Sequence, residues 1–264
     1  MNKILKYILP ASACFLAACN DIDEAGRFID LPPITSDRVV LIEVFTGQRC
    51  KNCPDAHVII SQLEAQYPGQ VVSVAVHAGG FSVPVTNTAY EGLRQPFGDD
   101  MASHRSVTEY PSGIIDGKGP LLHTDWAAAV YDALKVPALS ELSVGEIVID
   151  YNEHTLSGVV KMMPGVSADA LLGIWILENG IVTRQTDNTG KWIREYEHNH
   201  VLRTYVGSSP WGEPVHLERD IESQHSFSVT LDAGWETDNI QVVAFLTDIK
   251  TGEYLQTTIA SVKE

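Results

Sequence analysis

The sequence has few basic residues: 18 Lys and Arg stand against 34 Asp and Glu, which gives a formal net charge of −16 with histidine neutral. No segment holds three adjacent basic residues, so the chain lacks the clustered Lys and Arg that nucleic-acid phosphates require. It also lacks G-x-S-x-G, a phosphate-binding loop and H-E-x-x-H, which leaves hydrolase and nucleotide-dependent classes without support. Hydrophobic residues at 44% and charged residues at 20% exclude a disordered or fibrous chain and predict a packed protein with one large domain or two ordinary ones.

The N-terminal segment has the features of an export signal. Two lysines precede an uncharged stretch over residues 7–18 that is too short to span a bilayer as a mature helix. The stretch runs into Leu16-Ala17-Ala18-Cys19, which resembles the lipobox of bacterial lipoproteins, where the cysteine is acylated and becomes the first residue of the mature chain. We therefore expect residues 1–18 to be a signal peptide and Cys19 to be lipidated. A plain signal peptide or a chance match is the alternative.

Residues 19–36 are acidic, then proline-rich, and show neither a helical nor a strand period. This composition is typical of a tether. Because the chain that follows the signal is acidic, we expect it to be held at a membrane by acyl chains and not by a basic patch.

Cys50 and Cys53, arranged as C-x-x-C, are the cysteines left for other chemistry, because Cys14 lies in the signal and Cys19 would carry the lipid. A structural disulfide usually closes a long loop, whereas a bridge over two residues adds little stability and is typical of a redox-active pair. Zinc is the alternative. The chain has no second C-x-x-C, and His57 would still leave the site one ligand short.

The C-x-x-C pair lies between a predicted strand and a predicted helix. Residues 38–45 form the apolar run of a central buried strand, and residues 55–67 have helical spacing. Cys50 would therefore meet the positive end of the helix dipole, while Arg49 and Lys51 add positive charge nearby. All three effects favour a thiolate at Cys50.

The segment Phe45–Pro54, FTGQRCKNCP, resembles the signature of the outer membrane protein 28-related lipoproteins of Gram-negative bacteria. The resemblance extends to residues 74–79, 110–113, 198–203 and 242–245. It implies a thioredoxin-like domain and a place in the bacterial cell envelope, as an outer membrane lipoprotein that faces the periplasm or the cell surface.

The activity that we predict is thiol–disulfide exchange. The Cys50 thiolate attacks a substrate disulfide, and Cys53 then resolves the mixed disulfide. The expected partners are proteins that contain disulfides or thiols, without nucleic acid and without a cofactor. The alternative is a binding or adhesion lipoprotein in which the C-x-x-C pair is structural.

A thioredoxin-like domain needs a cis-proline loop that faces the cysteine pair, and Tyr110-Pro111 is the best candidate. A trans bond is the alternative. Tyr110 would bind an extended substrate, together with Arg49 and Lys51. Glu43, on the preceding strand, is a candidate for the buried carboxylate that shuttles protons, although its spacing to the first cysteine is one residue longer than that pattern. A solvated or salt-bridged glutamate is the alternative there.

Two further groups of histidines are candidates for binding. His77 ends the second predicted strand and could bind substrate or metal, or could simply be hydrogen-bonded. His198 and His200 lie two apart, with His216 and His225 as possible further ligands. No acid–histidine cluster of recognised spacing completes such a site, so we predict no metal.

The predicted fold class is α/β plus all-β. Residues 37–137 would form the thioredoxin-like domain and residues 138–264 an immunoglobulin-like β-sandwich. Beyond residue 137 the pattern changes to short alternating strands separated by turn residues. Within this half, Asn179-Gly180 is a strong signal for a β-hairpin.

Overall fold

The computed structural model describes residues 36–86, 90–150 and 152–262. The expected signal peptide, the lipidation site at Cys19 and nearly all of the tether lie outside the described residues. Within them, no helix is long and apolar enough to cross a membrane.

The first part of the chain alternates strands and helices. Its elements are β1 (Val40–Thr46), α1 (Cys53–Gln66), β2 (Val71–His77), α2 (Pro96–His104), β3 (Ser112–Ile115), β4 (Lys118–Leu121) and α3 (Trp126–Leu134). Every residue of β1 and β2 is buried, as their continuous apolar runs predict. Helix α3 buries Trp126, Val130 and Leu134, because a spacing of four residues places them on one face.

The second part of the chain is built from strands. They are β5 (Ser140–Asp150), β6 (Thr155–Pro164), β7 (Ala168–Glu178), β8 (Ile181–Thr186), β9 (Trp192–His198), β10 (Val201–Tyr205), β11 (Glu213–Leu217), β12 (Ser223–Thr230), β13 (Ile240–Asp248) and β14 (Tyr254–Ser261). The described residues therefore form a β-rich fold with few helices and several sheets.

A nine-stranded sheet runs in the order β14-β13-β7-β10-β2-β1-β3-β4, and β11 pairs with β7. Strands β1 and β2 are parallel, and β3 is antiparallel to β1. Strand β10 joins β2 through Val201 and Ala75. Strands from both sides of residue 137 thus share one sheet, and the described residues belong to one compact unit.

A three-stranded sheet, β12-β6-β5, covers part of the large sheet. Leu156, Val160 and Phe227 from this small sheet share a core cluster with Ile174 of β7 and Val242 of β13. Alternating strand residues supply these contacts, since every second side chain of a strand lies on the same face.

The hairpin predicted at Asn179-Gly180 is wrong. Gly180 does have a positive φ of 70°, but β8 pairs with β9, and β7 pairs with β10, β11 and β13. The turn residue binds neighbouring segments instead: the Asn179 N–H donates to the Asn239 carbonyl at 3.1 Å, and its side-chain oxygen accepts from the His200 N–H at 2.7 Å. The chain therefore leaves the large sheet here and forms the separate β8–β9 hairpin.

Candidate functional site

Cys50 and Cys53 are joined by a disulfide, with their Cα atoms 5.4 Å apart. Cys50 lies in the loop after β1, and Cys53 is the first residue of α1. Pro54 is accommodated because first-turn N–H groups have no acceptor within the helix. Because α1 begins at Cys53, the positive end of the helix dipole lies at the cysteine pair.

Both cysteines are buried, with exposed fractions of 2% for Cys50 and 0% for Cys53. Arg49 and Lys51, which flank Cys50, are exposed. The two positive charges therefore face solvent at the rim of the loop, while the disulfide lies beneath it.

Two segments from elsewhere in the chain hold the cysteine loop. The Arg49 N–H donates to the carbonyl of Phe81, in the loop after β2, at 2.7 Å. The Gln185 side-chain amide donates to the Cys50 carbonyl at 2.9 Å, and the Thr186 N–H donates to the Gln48 carbonyl at 2.8 Å. The β8–β9 hairpin is thus attached to the cysteine loop. Sequence reasoning missed Gln185, which is 135 residues from Cys50.

Gly47 and Gln48, which precede the cysteines, lie against the segment of chain that follows β2. The fully buried Gln48 side chain donates to the Glu91 carbonyl at 2.9 Å and accepts from the Leu93 N–H at 3.1 Å. A Cβ atom on Gly47 would lie 2.5 Å from the Phe81 carbonyl oxygen, so the loop after β2 can approach only a glycine. This part of the site is visible in the sequence as the Thr-Gly-Gln run.

The Tyr110–Pro111 peptide bond is cis, as predicted from the sequence. Ser112, the next residue, pairs with Phe45 of β1, so the antiparallel register brings the cis bond to the carboxyl end of β1, where the cysteine loop begins. The Tyr110 ring lies 5.5 Å from the Phe81 ring, centroid to centroid. Burial raises the pKa of the Tyr110 phenol.

The structure does not bring Glu43 to the cysteine pair. Its carboxylate accepts hydrogen bonds from Arg105 at 2.6 Å and from the Tyr254 hydroxyl at 2.8 Å. Side chains alternate along β1, so Glu43 lies on the sheet face opposite to Val44, which lines a pocket with residues of α1. Burial raises the pKa of Glu43, and the Arg105 charge opposes that effect. The salt-bridged alternative fits this geometry.

His77 lies in a cavity of about 220 Å³ beneath α1. The histidines and the tyrosine that line this cavity are His57, His77, Tyr196, His198 and His200. His77 is 3% exposed; one of its ring nitrogens interacts with the backbone of Ala75, and the other has no partner in the part of the chain that the structure describes. Burial, followed by the nearby His198 and His57, lowers its pKa well below the usual value.

His57, one helical turn after Cys53, connects α1 to strands β1 and β9. Its Nε2 lies 3.1 Å from the Thr46 hydroxyl, and its Nδ1 lies 2.8 Å from the Tyr196 hydroxyl. Burial lowers the pKa of His57 to about 4 and that of His198 to about 3. Both imidazoles are therefore neutral at pH 7.

His216 and His225, the possible further ligands beside His198 and His200, are on other strands. His216 is exposed and contacts Asp169 at 2.7 Å, and His225 lies on β12. The structure instead brings His198 to His77 of β2, a contact between distant residues that local spacing does not reveal. Across the described ranges, no three His, Cys, Asp or Glu side chains form a group suited to a metal ion.

A family model described as outer membrane protein Omp28 matches residues 99–264, more than half of the chain. The matched stretch begins after the cysteine pair. A comparison with curated proteins gives no significant match.

Several solved structures resemble the chain. HBP35 of Porphyromonas gingivalis is 15% identical, with a TM-score of 0.69 over 86% of this chain and 76% of that one. Protein AGR_C_4864 from Agrobacterium tumefaciens is 14% identical, with a TM-score of 0.55 over 87% and 97%. A domain of the outer membrane lipoprotein Omp28 from Porphyromonas gingivalis is 16% identical, with a TM-score of 0.34 over 48% and 89%. HBP35 and AGR_C_4864 share the fold with this chain. At these low identities the similarity concerns the fold alone.

Proposed function

Because the chain belongs to the outer membrane protein Omp28 family, we propose that it is an exported, lipid-anchored thiol–disulfide oxidoreductase-like protein with Cys50 and Cys53 as its redox pair. The main support for this proposal is that three features meet at the carboxyl end of β1: the disulfide, the first turn of α1 and the cis bond before Pro111.

The strand order supports a thioredoxin-like interpretation of residues 37–137. Strands β2-β1-β3-β4 lie side by side, β1 and β2 are parallel and joined through α1, and the cis bond immediately precedes β3. The packing of β5, β6 and β12 on β7 and β13 supports a β-sandwich for residues 138–264. We propose these two segments as the functional divisions of the chain.

The reaction begins from the reduced pair. The Cys50 thiolate attacks one sulfur of a substrate disulfide, and the other substrate sulfur leaves as a thiol. Cys53 then attacks Cys50, so the substrate leaves as a dithiol and the pair becomes the disulfide seen here. Two electrons from an external thiol must return the pair to its reduced form.

Both cysteines are buried, so neighbouring residues must move before a protein substrate reaches the pair. The Phe81 side chain is 47% exposed, and its ring is tilted by 49° against the Tyr110 ring. We therefore assign Tyr110, Arg49 and Lys51 to the rim that contacts substrate. His77 belongs to the separate cavity beneath α1.

Mixed-disulfide trapping tests this function. Cys53→Ala removes the resolving thiol, so Cys50 should retain client proteins as complexes that reductant releases on a non-reducing gel. Cys50→Ala is the matched control and should retain none. Equal trapping by both variants, or by neither, would contradict the assignment.

A second function is favoured by the burial of both cysteines. In this alternative the disulfide is an inert structural bridge, and the protein is a binding or adhesion lipoprotein of the cell envelope. The trapping experiment separates the two, because an inert bridge gives no complexes with either variant.

A further inference from the structure

The cavity beneath α1 contains buried polar atoms that have no partner. His77 is 3% exposed and His198 is 2% exposed. One ring nitrogen of each interacts with the backbone, at Ala75 for His77 and at Arg184 for His198, which leaves the other nitrogen of each ring without a partner among the described residues. Buried polar groups in folded proteins are nearly always satisfied, and an orphaned group calls for a reason such as a bound water or ion. Two such side chains in one cavity indicate a ligand site.

The spacing of the two rings suits a shared metal ion. A tetrahedral metal bound by two imidazoles at about 2.0–2.1 Å places the ring centres about 5.2 Å apart. The His77 and His198 ring centroids are 5.5 Å apart. His77 ends β2, and His198 ends β9, so both side chains are carried by strands, and their rings meet at an interplanar angle of 67°.

The chemistry of the cavity selects the class of ion. No lysine or arginine lines it, which disfavours an anion. Hard cations such as calcium and magnesium prefer oxygen ligands, whereas imidazole nitrogens suit zinc, copper and nickel. We propose that this cavity binds one divalent transition-metal ion through His77 and His198, with water at the remaining coordination positions.

The surrounding residues are arranged to hold the two ligands. The Tyr196 ring lies 4.9 Å from the His198 ring, and its hydroxyl contacts His57. Backbone groups of Ala75 and Arg184 contact His77 and His198 respectively, and outer contacts of this kind orient the imidazoles that bind a metal. The site uses neither sulfur atom, so it is independent of the proposed redox function.

The test is a titration of the full chain with Zn²⁺ by calorimetry, after chelator treatment and removal of the chelator, with the disulfide oxidised. The wild-type protein should bind one equivalent, and His77→Ala or His198→Ala should each weaken binding about tenfold or more. His216→Ala, at an exposed histidine on β11, is the matched control and should leave the affinity unchanged. Cys50→Ser with Cys53→Ser should also bind zinc as the wild type does.

A wild-type protein that binds no zinc at micromolar concentration would overturn the site, and so would histidine variants that bind as tightly as the wild type. Circular dichroism checks that each variant is folded. X-ray absorption on the zinc-loaded wild-type protein gives an answer that does not depend on variants. Scattering from at least two imidazoles supports the proposal, and sulfur ligands or oxygen ligands alone refute it.

Discussion

The buried contact of Glu43 with Arg105 provides a quantitative prediction. The Glu43 side chain is 0% exposed and that of Arg105 is 10% exposed. Glu43→Ala would leave the guanidinium buried without its carboxylate. Breaking a buried ion pair from one side costs about 3–5 kcal/mol. For a chain of this size each kcal/mol lowers the melting temperature by about 2–4 °C, so Glu43→Ala should lower it by about 6–20 °C.

The matched control removes both charges. Glu43→Leu combined with Arg105→Met leaves no unpaired ion and should recover part of the lost stability, because apolar replacement of a whole buried pair is often nearly neutral. Recovery is incomplete because the buried Tyr254 hydroxyl loses both of its partners. Thermal unfolding followed by circular dichroism measures all three proteins. A fall of less than 2 °C for Glu43→Ala, or a double variant that is less stable than the single one, would refute the structural role that we assign to Glu43.

Two further predictions concern the membrane anchor and the buried histidines. Cys19→Ala should move the protein from the membrane fraction to the soluble fraction, since acyl chains are the expected anchor; a variant that is still processed and still membrane-bound would contradict lipidation. His57 has a folded-state pKa of about 4, which is below its unfolded value. The unfolded state therefore binds more protons than the folded state between about pH 4 and 6.5. Stability falls as the pH falls through that window. His57→Gln should reduce the slope of unfolding free energy against pH by about 1.4 kcal/mol per pH unit in chelator-containing buffer. The free energies come from denaturant unfolding at each pH. Parallel curves for the wild type and the variant would show that the imidazole is not held neutral.

Local patterns were sufficient to predict much of the first part of the fold. The first strand and the first helix begin and end within about two residues of the bounds that the sequence predicted, and the bond before Pro111 is cis as predicted. These features depend on neighbouring residues, since burial periodicity and turn chemistry act over short stretches of chain.

Contacts between distant residues were beyond such reasoning. Gln185 holds the Cys50 carbonyl, and His198 meets His77, because the β8–β9 hairpin leaves the large sheet at Gly180. A signal for a tight turn does not say which strand pairs across it. The partner of Glu43 could not be predicted for a related reason, since Arg105 follows α2 and is 62 residues away.

The most direct test of the central claim is the reduction potential of the Cys50–Cys53 pair, measured by equilibrating the native protein with glutathione buffers and counting alkylated thiols by mass spectrometry. A redox-active pair predicts a value between about −270 and −120 mV, the range of known thiol–disulfide oxidoreductases. A value below about −300 mV, typical of structural disulfides that resist the glutathione pool, would contradict the proposed function.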